Sequence, residues 1–190
     1  MYASRPMSDK EYKKLVKTIR EGYTGKDGCR RLPNDQVADI LVLEATLGCR
    51  IHDIVSLTAD NFQRKDGVWK IIKNEQKTRK NREFVISDEL KAFIDGIIEK
   101  GYSDGVKLFS ISAAAVWKVM RQVTDYLDMG QISTHSLRKM AGLSLLDATD
   151  GDFAAVCTFY QHSNIRQTTA YLRRSDRHME NALKKITNLA

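Results

Sequence analysis

The segment from Val37 to Leu47 constrains the fold more than any other stretch. Val37, Ile40, Leu41, Val42, Leu43, Ala45 and Leu47 put apolar side chains nearly all round a helix rather than along one stripe. Such a helix must be enclosed by protein, so the remaining chain has to supply a shell around it. Asn34 or Asp35 can cap its start, and Gly48 ends it. The shell reads as amphipathic helices. Ser8 and Glu11 have capping-box spacing ahead of Tyr12, Leu15, Val16 and Ile19, which predicts a helix from Ser8 to Glu21. A short turn of helix follows the central one, around Ile51 to Leu57. Ser87 caps another helix, in which Leu90, Phe93, Ile94, Ile97 and Ile98 recur at helical spacing until Gly101, and Val116, Val119, Met120, Val123 and Leu127 mark the next. After Gly130, helices are predicted near His135 to Leu146, Asp152 to Tyr160, Asn164 to Tyr171 and Asp176 to Ile186. Between Gly67 and Ser87 the period changes to two. There, Val68 to Ile72 and Glu83 to Ile86 read as the strands of a hairpin whose tip, Lys73 to Arg82, is polar and basic. The expected fold class is mainly α with a small antiparallel β-sheet or hairpin. At 190 residues, without repeats or a linker, the chain is expected to be one domain, 1–190.

Lysine and arginine total 31 against 24 acids, a formal charge of +7. That charge is compatible with a polyanionic partner and equally with an ordinary basic cytosolic protein. Gly22 to Leu32, with Lys26, Arg30 and Arg31, is a first surface candidate for phosphate contact, although a solvated turn has the same composition. No apolar run approaches the roughly 18 residues that span a bilayer. The opening Met1-Tyr2-Ala3-Ser4-Arg5-Pro6 lacks an apolar signal core, so a cytoplasmic protein without membrane contact is expected. Cys29, Cys49 and Cys157 form no C-x-x-C pair and read as reduced packing residues. Asp147, Asp150 and Asp152 lack the spacing of an EF-hand loop and read as a helix end and turn, and no P-loop is present. The expected cofactor set is empty. Trp69 and Trp117 read as core residues, and His52 and His178 as surface or locally bonded histidines.

The chemistry-bearing residues fall in four places. Thr134-His135-Ser136-Leu137-Arg138 puts His135 and Arg138 at i and i+3, on one face near a helix start. Gln161-His162-Ser163 is followed by Tyr171, nine residues after His162. Arg50 lies just after the central helix, and Lys77 sits in the basic hairpin tip, Gln76-Lys77-Thr78-Arg79-Lys80. Taken singly each is a weak signal. As an ordered set, Arg50, Lys77, His135, Arg138, His162 and Tyr171 resemble the catalytic domain of tyrosine recombinases, the integrase family of phages and mobile elements, over essentially the whole chain.

The resemblance implies a site-specific recombinase that cuts and rejoins DNA through a covalent 3′-phosphotyrosyl intermediate, with no metal or ATP. Arg50 and Arg138 suit neutralisation of the non-bridging phosphate oxygens, because guanidinium stays charged and can bind phosphate in two-pronged fashion. Making phenolate from Tyr171 at pH 7 costs about 4 kcal/mol from an ordinary value near 10, so nearby cations and a base are required. His135 is the candidate base and His162 a further hydrogen-bonding group. By resemblance Lys77 is the acid for the departing 5′ oxygen, with Lys73, Arg79 and Lys80 as rivals. Arg30, Arg31, Lys73, Arg79, Lys80, Lys139, Arg166, Arg173 and Arg174 are candidate DNA-backbone contacts, though solvated faces predict the same letters. Asp53 is expected to orient or cap locally. The implied partner is double-stranded DNA. A tetramer on DNA during synapsis, built from a domain that is monomeric or weakly associated alone, and an accessory directionality factor are implied with it.

Two departures stand out. Gln161 occupies the position before the second histidine where the family usually has glycine, which bears on the local turn. Residues 1 to 10 already read as the entry to the catalytic domain, so the core-binding and arm-binding domains of many relatives are not expected here. The chain is then a fragment of a longer integrase or a short relative, with weak, salt-sensitive DNA binding. Two other readings share the features: a type IB topoisomerase, and a non-catalytic DNA-binding regulator on this fold or a helix-turn-helix module. The complete set of six weighs against the regulator.

Overall fold

A computed structural model describes residues 4–74 and 81–172. The chain divides into two units, the first ending at Ala141 and the second beginning at Gly142. In the first unit α1 (Asp9–Glu21), α2 (Asp35–Leu47), α3 (Ile51–Ile54), α4 (Asp88–Lys100) and α5 (Ala113–Tyr126) accompany two small antiparallel sheets. One sheet is β1 (Tyr23–Thr24) with β2 (Arg30–Arg31). The other runs in the order β3 (Phe62–Lys65), β4 (Val68–Asn74), β5 (Asn81–Ile86). Helix α6 (Thr134–Ala148) begins in the first unit, and α7 (Phe153–Tyr160) and α8 (Ile165–Leu172) belong to the second.

The central-helix expectation holds. Val37, Ile40, Leu41, Leu43 and Leu47 of α2 are buried, with Leu15 and Ile19 of α1, Ile94 and Ile97 of α4, Val116 and Met120 of α5, and Ile71 and Ile86 of the sheet in the same core. Each such side chain contributes about 1.5–3 kcal/mol by leaving water. The predicted caps are present. Ser8 and Glu11 exchange side-chain and backbone hydrogen bonds at the start of α1, Asn34 accepts from the Val37 N–H, and Ser87 accepts from the Leu90 N–H. Gly48 and Gly101 end α2 and α4 in left-handed backbone, at φ 56° and 59°.

Hydrophobic patterning did not reveal that α2 also buries Asp39. Arg20 of α1, Lys100 of α4 and the Tyr102 hydroxyl donate to its carboxylate at 2.5, 2.7 and 2.7 Å. Burial opposes the charge, but these donors hold the Asp39 carboxyl below its usual range, and the network ties three helices together.

The sheet is larger than the patterning suggests. Strand β3 pairs with β4 from Phe62 opposite Ile71 to Lys65 opposite Val68, closed by Asp66 and Gly67 at positive φ. Only Phe62 of β3 is buried, so alternation is absent; the Asp-Gly pair was the available signal. Lys73 pairs with Arg82 and Asn74 with Asn81, so Lys73 and Arg82 are strand residues, not tip residues. The Arg82 side chain is buried at this position. The Gly22 to Leu32 loop contains the β1–β2 pair, with the Tyr23 ring stacked on Tyr126 at 4.5 Å between centroids.

Trp69 is half-buried against the core, with the Lys91 ammonium 4.2 Å from its ring centre. Trp117, by contrast, is 47% exposed and is not a core residue, because Val116 and Met120 take the inward face of α5. Cys49 is buried, but Cys29 is exposed in a turn and does not pack.

In the second unit Leu146, Val156, Tyr160 and Leu172 form a buried cluster. The acidic cluster is a helix end and turn: α6 ends at Ala148, Asp150 has φ 50°, and Asp152 caps α7 by accepting from the Ala154 and Ala155 N–H groups. Gly142 faces Tyr160, whose ring carbons would lie 2.6 and 2.7 Å from an added Cβ, so only glycine lets the ring seat against α6. The helix predicted over Asp176 to Ile186 lies outside the described residues. Among the described residues no helix is long and apolar enough to cross a membrane.

Candidate active site

The C-terminal end of α2 anchors the site in the first unit. Its last carbonyls lack helical partners, and two buried guanidinium groups take them up. Arg82 donates to the Leu47 carbonyl at 2.9 Å, and Arg138 donates through Nη1 to the Gly48 carbonyl at 2.5 Å. Arg50 follows two residues later and leads into α3, with its own carbonyl accepting from the Asp53 and Ile54 N–H groups at 2.8 and 3.1 Å. The predicted pair Arg50 and Arg138 is thus linked through one turn of backbone. Arg138 is only 3% exposed, whereas His135, three residues earlier on α6, is exposed. Both lie at the start of α6, and Arg138 is the one bonded to the Gly48 carbonyl.

Glu44 is buried in the same region, and its Oε2 has no hydrogen-bond partner. Burial pushes its carboxyl well above the usual carboxylate range, against the pull of the Arg138 charge. The folded protein therefore holds a proton that the unfolded chain releases once pH passes the ordinary carboxylate range. Stability falls as pH rises from there toward the folded value. Glu44→Gln is expected to raise unfolding stability by about 1–2 kcal/mol at pH 8 and to change it little at pH 4. Chemical denaturation at both pH values measures this, and an equal change at the two would contradict it.

Arg50 and His135 meet across a cavity of about 520 Å³, whose wall also includes His52, Ser133 and Trp117. The start of α6 fixes the His135 side: Ser136 Oγ accepts from the Ser133 N–H at 3.0 Å, and the Ser136 N–H donates to the Ser133 carbonyl at 2.8 Å. For His52 the sequence predicts a surface or locally bonded histidine. It is exposed, but it belongs to this wall.

Lys73 donates to the Ser56 carbonyl at 2.8 Å. Burial lowers its ammonium from the ordinary lysine value while the Asp53 charge opposes the shift, so Lys73 braces the segment after Arg50. Asp53 is buried. Among the other predicted DNA contacts, Arg30 and Arg166 are exposed. Arg31 donates to Asp27 at 2.6 Å, and Lys139 donates to the Ser4 carbonyl at 2.6 Å. Lys77, Arg79, Lys80, Arg173, Arg174 and His178 lie outside the described residues.

The second unit brings His162 and Tyr171 together. Their rings meet edge to face at 5.8 Å between centroids and 79°, and Tyr160 packs against both, at 5.1 Å from His162 and 5.4 Å from Tyr171. His162 Nδ1 lies 2.9 Å from Oγ1 of the buried Thr168, and the His162 carbonyl accepts from Cys157 Sγ at 3.3 Å. The ring orientation is therefore fixed from α8 and the backbone from α7. Gln161 ends α7 at φ 53° and ψ 37°, the left-handed conformation that glycine adopts freely. The substitution keeps the turn at a cost of about 1 kcal/mol. Tyr171 is half-buried one residue before the end of α8.

The sequence pattern of the Phage integrase family matches residues 5–178. YoeC of Bacillus subtilis (strain 168), described as a probable integrase/recombinase, is 29% identical over 130 residues, covering 65% of this chain and 69% of that protein. Among solved structures, XerA recombinase superposes with a TM-score of 0.73 at 14% identity, over 97% of this chain and 66% of the other. The catalytic domain of bacteriophage HP1 integrase gives 0.62 at 21% identity, over 95% and 94%. Lambda integrase, as a dimer bound to a COC′ core site, gives 0.69 at 14% identity, over 93% and 49%. The chain thus spans about two thirds of the XerA chain, about half of the lambda integrase chain and nearly all of the HP1 catalytic domain. At these identities the structural likenesses speak for the fold: a helical domain with small antiparallel sheets, as in recombinase catalytic domains.

Proposed function

Because the chain belongs to the phage integrase family, the tyrosine recombinases, we propose that it cuts and rejoins DNA strands at specific sites through a covalent 3′-phosphotyrosyl intermediate. The observation that carries this reading is the cavity shared by Arg50 and His135, beside a turn whose backbone is fastened by Arg138. Guanidinium groups fixed before substrate arrives stabilise the charge that builds on a phosphoryl group without reorganising during the reaction. In the proposed step Tyr171 Oη attacks phosphorus and loses its proton to His135. The bond from phosphorus to the 5′ oxygen breaks, and that oxygen takes a proton from Lys77. His162, oriented by Thr168, supports the phenol or the phosphate by hydrogen bonding. The phosphotyrosyl bond conserves the energy of the phosphodiester, so an incoming 5′ hydroxyl reverses the step with a new strand, and neither ATP nor a metal enters the balance. Lambda integrase has been seen as a dimer bound to a core site, and XerH and the Tn1549 integrase with DNA. Double-stranded DNA is the proposed partner here, with assembly to a tetramer at synapsis.

Nicked duplexes with a randomised core, incubated with the protein and run on a denaturing gel, test the reading. A protein–DNA adduct resistant to denaturation is expected, and its absence would overturn the enzymatic reading in favour of a DNA-binding regulator. Exchange between two marked duplexes selected from the reactive pool identifies a recombinase, whereas plasmid relaxation without exchange identifies a nicking-closing enzyme of the topoisomerase kind.

A further inference from the structure

Two side chains in the cavity wall have no part in the chemistry above. His52 lies two residues after Arg50, and beyond its backbone carbonyl, which accepts from Ser56 Oγ at 2.9 Å, its ring is exposed to the cavity. Trp117 comes from α5, is 47% exposed and lies in the same wall. The Arg121 guanidinium lies 5.4 Å from the centre of the Trp117 ring, so this part of the wall presents an aromatic ring with a cation stacked beside it. Sugars and bases pack on such surfaces, because every nucleotide has an apolar or π face next to its charged phosphate. Ala113 and Ala114, one turn before Trp117, leave room beside the ring.

We propose that His52 and Trp117 form a nucleotide-holding subsite next to the phosphate pocket, His52 donating a ring N–H to the DNA backbone and Trp117 packing against the adjacent sugar or base. This rests on the reading of DNA as partner and adds two residues to it. Arg50 precedes His52 on the same turn, and His135 stands in the cavity wall from α6. Asp53 follows on α3 but is buried, and the α5 residues in the wall carry no charged group. A neutral replacement at His52 therefore isolates its share, because the Arg50 and His135 contributions are common to both proteins.

The chain has two tryptophans, so Trp69→Phe leaves Trp117 as the single reporter. A labelled 30-base-pair duplex of arbitrary sequence is titrated at low salt while anisotropy and Trp117 emission are read together. The expected result is quenching of Trp117 by about half, with the same midpoint as the anisotropy rise. Anisotropy that rises while emission stays constant overturns the subsite and leaves the DNA reading intact; anisotropy that stays flat overturns the DNA reading and the subsite with it. His52→Gln is expected to weaken binding of the same duplex about fivefold relative to the parent at low salt. Titrations of the two proteins that superimpose would overturn the role of His52.

Discussion

Tyr171→Phe is expected to abolish the DNA adduct while leaving DNA binding unchanged. Removing the hydroxyl takes away the atom that bonds to phosphorus. Among the described residues, the Tyr160 ring beside it is almost fully buried and the Thr168 hydroxyl is held against His162, so neither stands in for it. Loss of a covalent nucleophile costs about 10⁴-fold or more in rate, so the adduct band should disappear from the gel. The phenylalanine ring preserves the edge contacts with His162 and Tyr160, so α7 and α8 should keep their packing. Thermal unfolding and duplex anisotropy check this. Persistence of the adduct in the variant would assign the chemistry to another residue.

Arg138→Lys is expected to slow adduct formation by about 10²–10³-fold with a change in duplex affinity below about threefold. The guanidinium does two things that an ammonium cannot do together. One of its nitrogens holds the Gly48 carbonyl, and its planar fork is suited to a phosphoryl oxygen pair. A lysine can satisfy the carbonyl or approach the phosphate, and in either case the turn leading to Arg50 loses its fixed geometry. Because the effect belongs to the transition state, the rate of the covalent step should fall far more than binding. A single-turnover time course on the reactive nicked duplex measures it, and a rate within about threefold of the parent would contradict the role given to Arg138.

Local signals predicted much of the fold. Ser8 with Glu11, Asn34, Ser87, Gly48 and Gly101 mark helix ends through bonds made within a few residues, so their effect is readable from the chain. What escaped depends on partners far away in sequence. The carboxylate of Asp39 interrupts an apolar helix and makes sense only beside Arg20, Lys100 and Tyr102. Arg82 looks like one more charge in a basic hairpin, yet it reaches a carbonyl 35 residues earlier. Strand β3 lacks alternation because, beyond the buried Phe62, Gln63, Arg64 and Lys65 leave both of its faces exposed. For the site, residue types and order pointed to Arg50, His135, Arg138, His162 and Tyr171. The burial of Arg138 and the presence of His52 and Trp117 in the Arg50 cavity required coordinates, because exposure is decided by which helix packs where.

The proposed function depends on the Tyr171 hydroxyl becoming bonded to a DNA phosphate. Tryptic digestion of the adduct followed by mass spectrometry tests it most directly, since Gln167 to Arg173 is a single tryptic peptide with Tyr171 as its one tyrosine. The account predicts a nucleotide 3′-phosphate carried on Tyr171 in that peptide. The same mass on any other peptide, or on a serine, threonine or histidine, would contradict it.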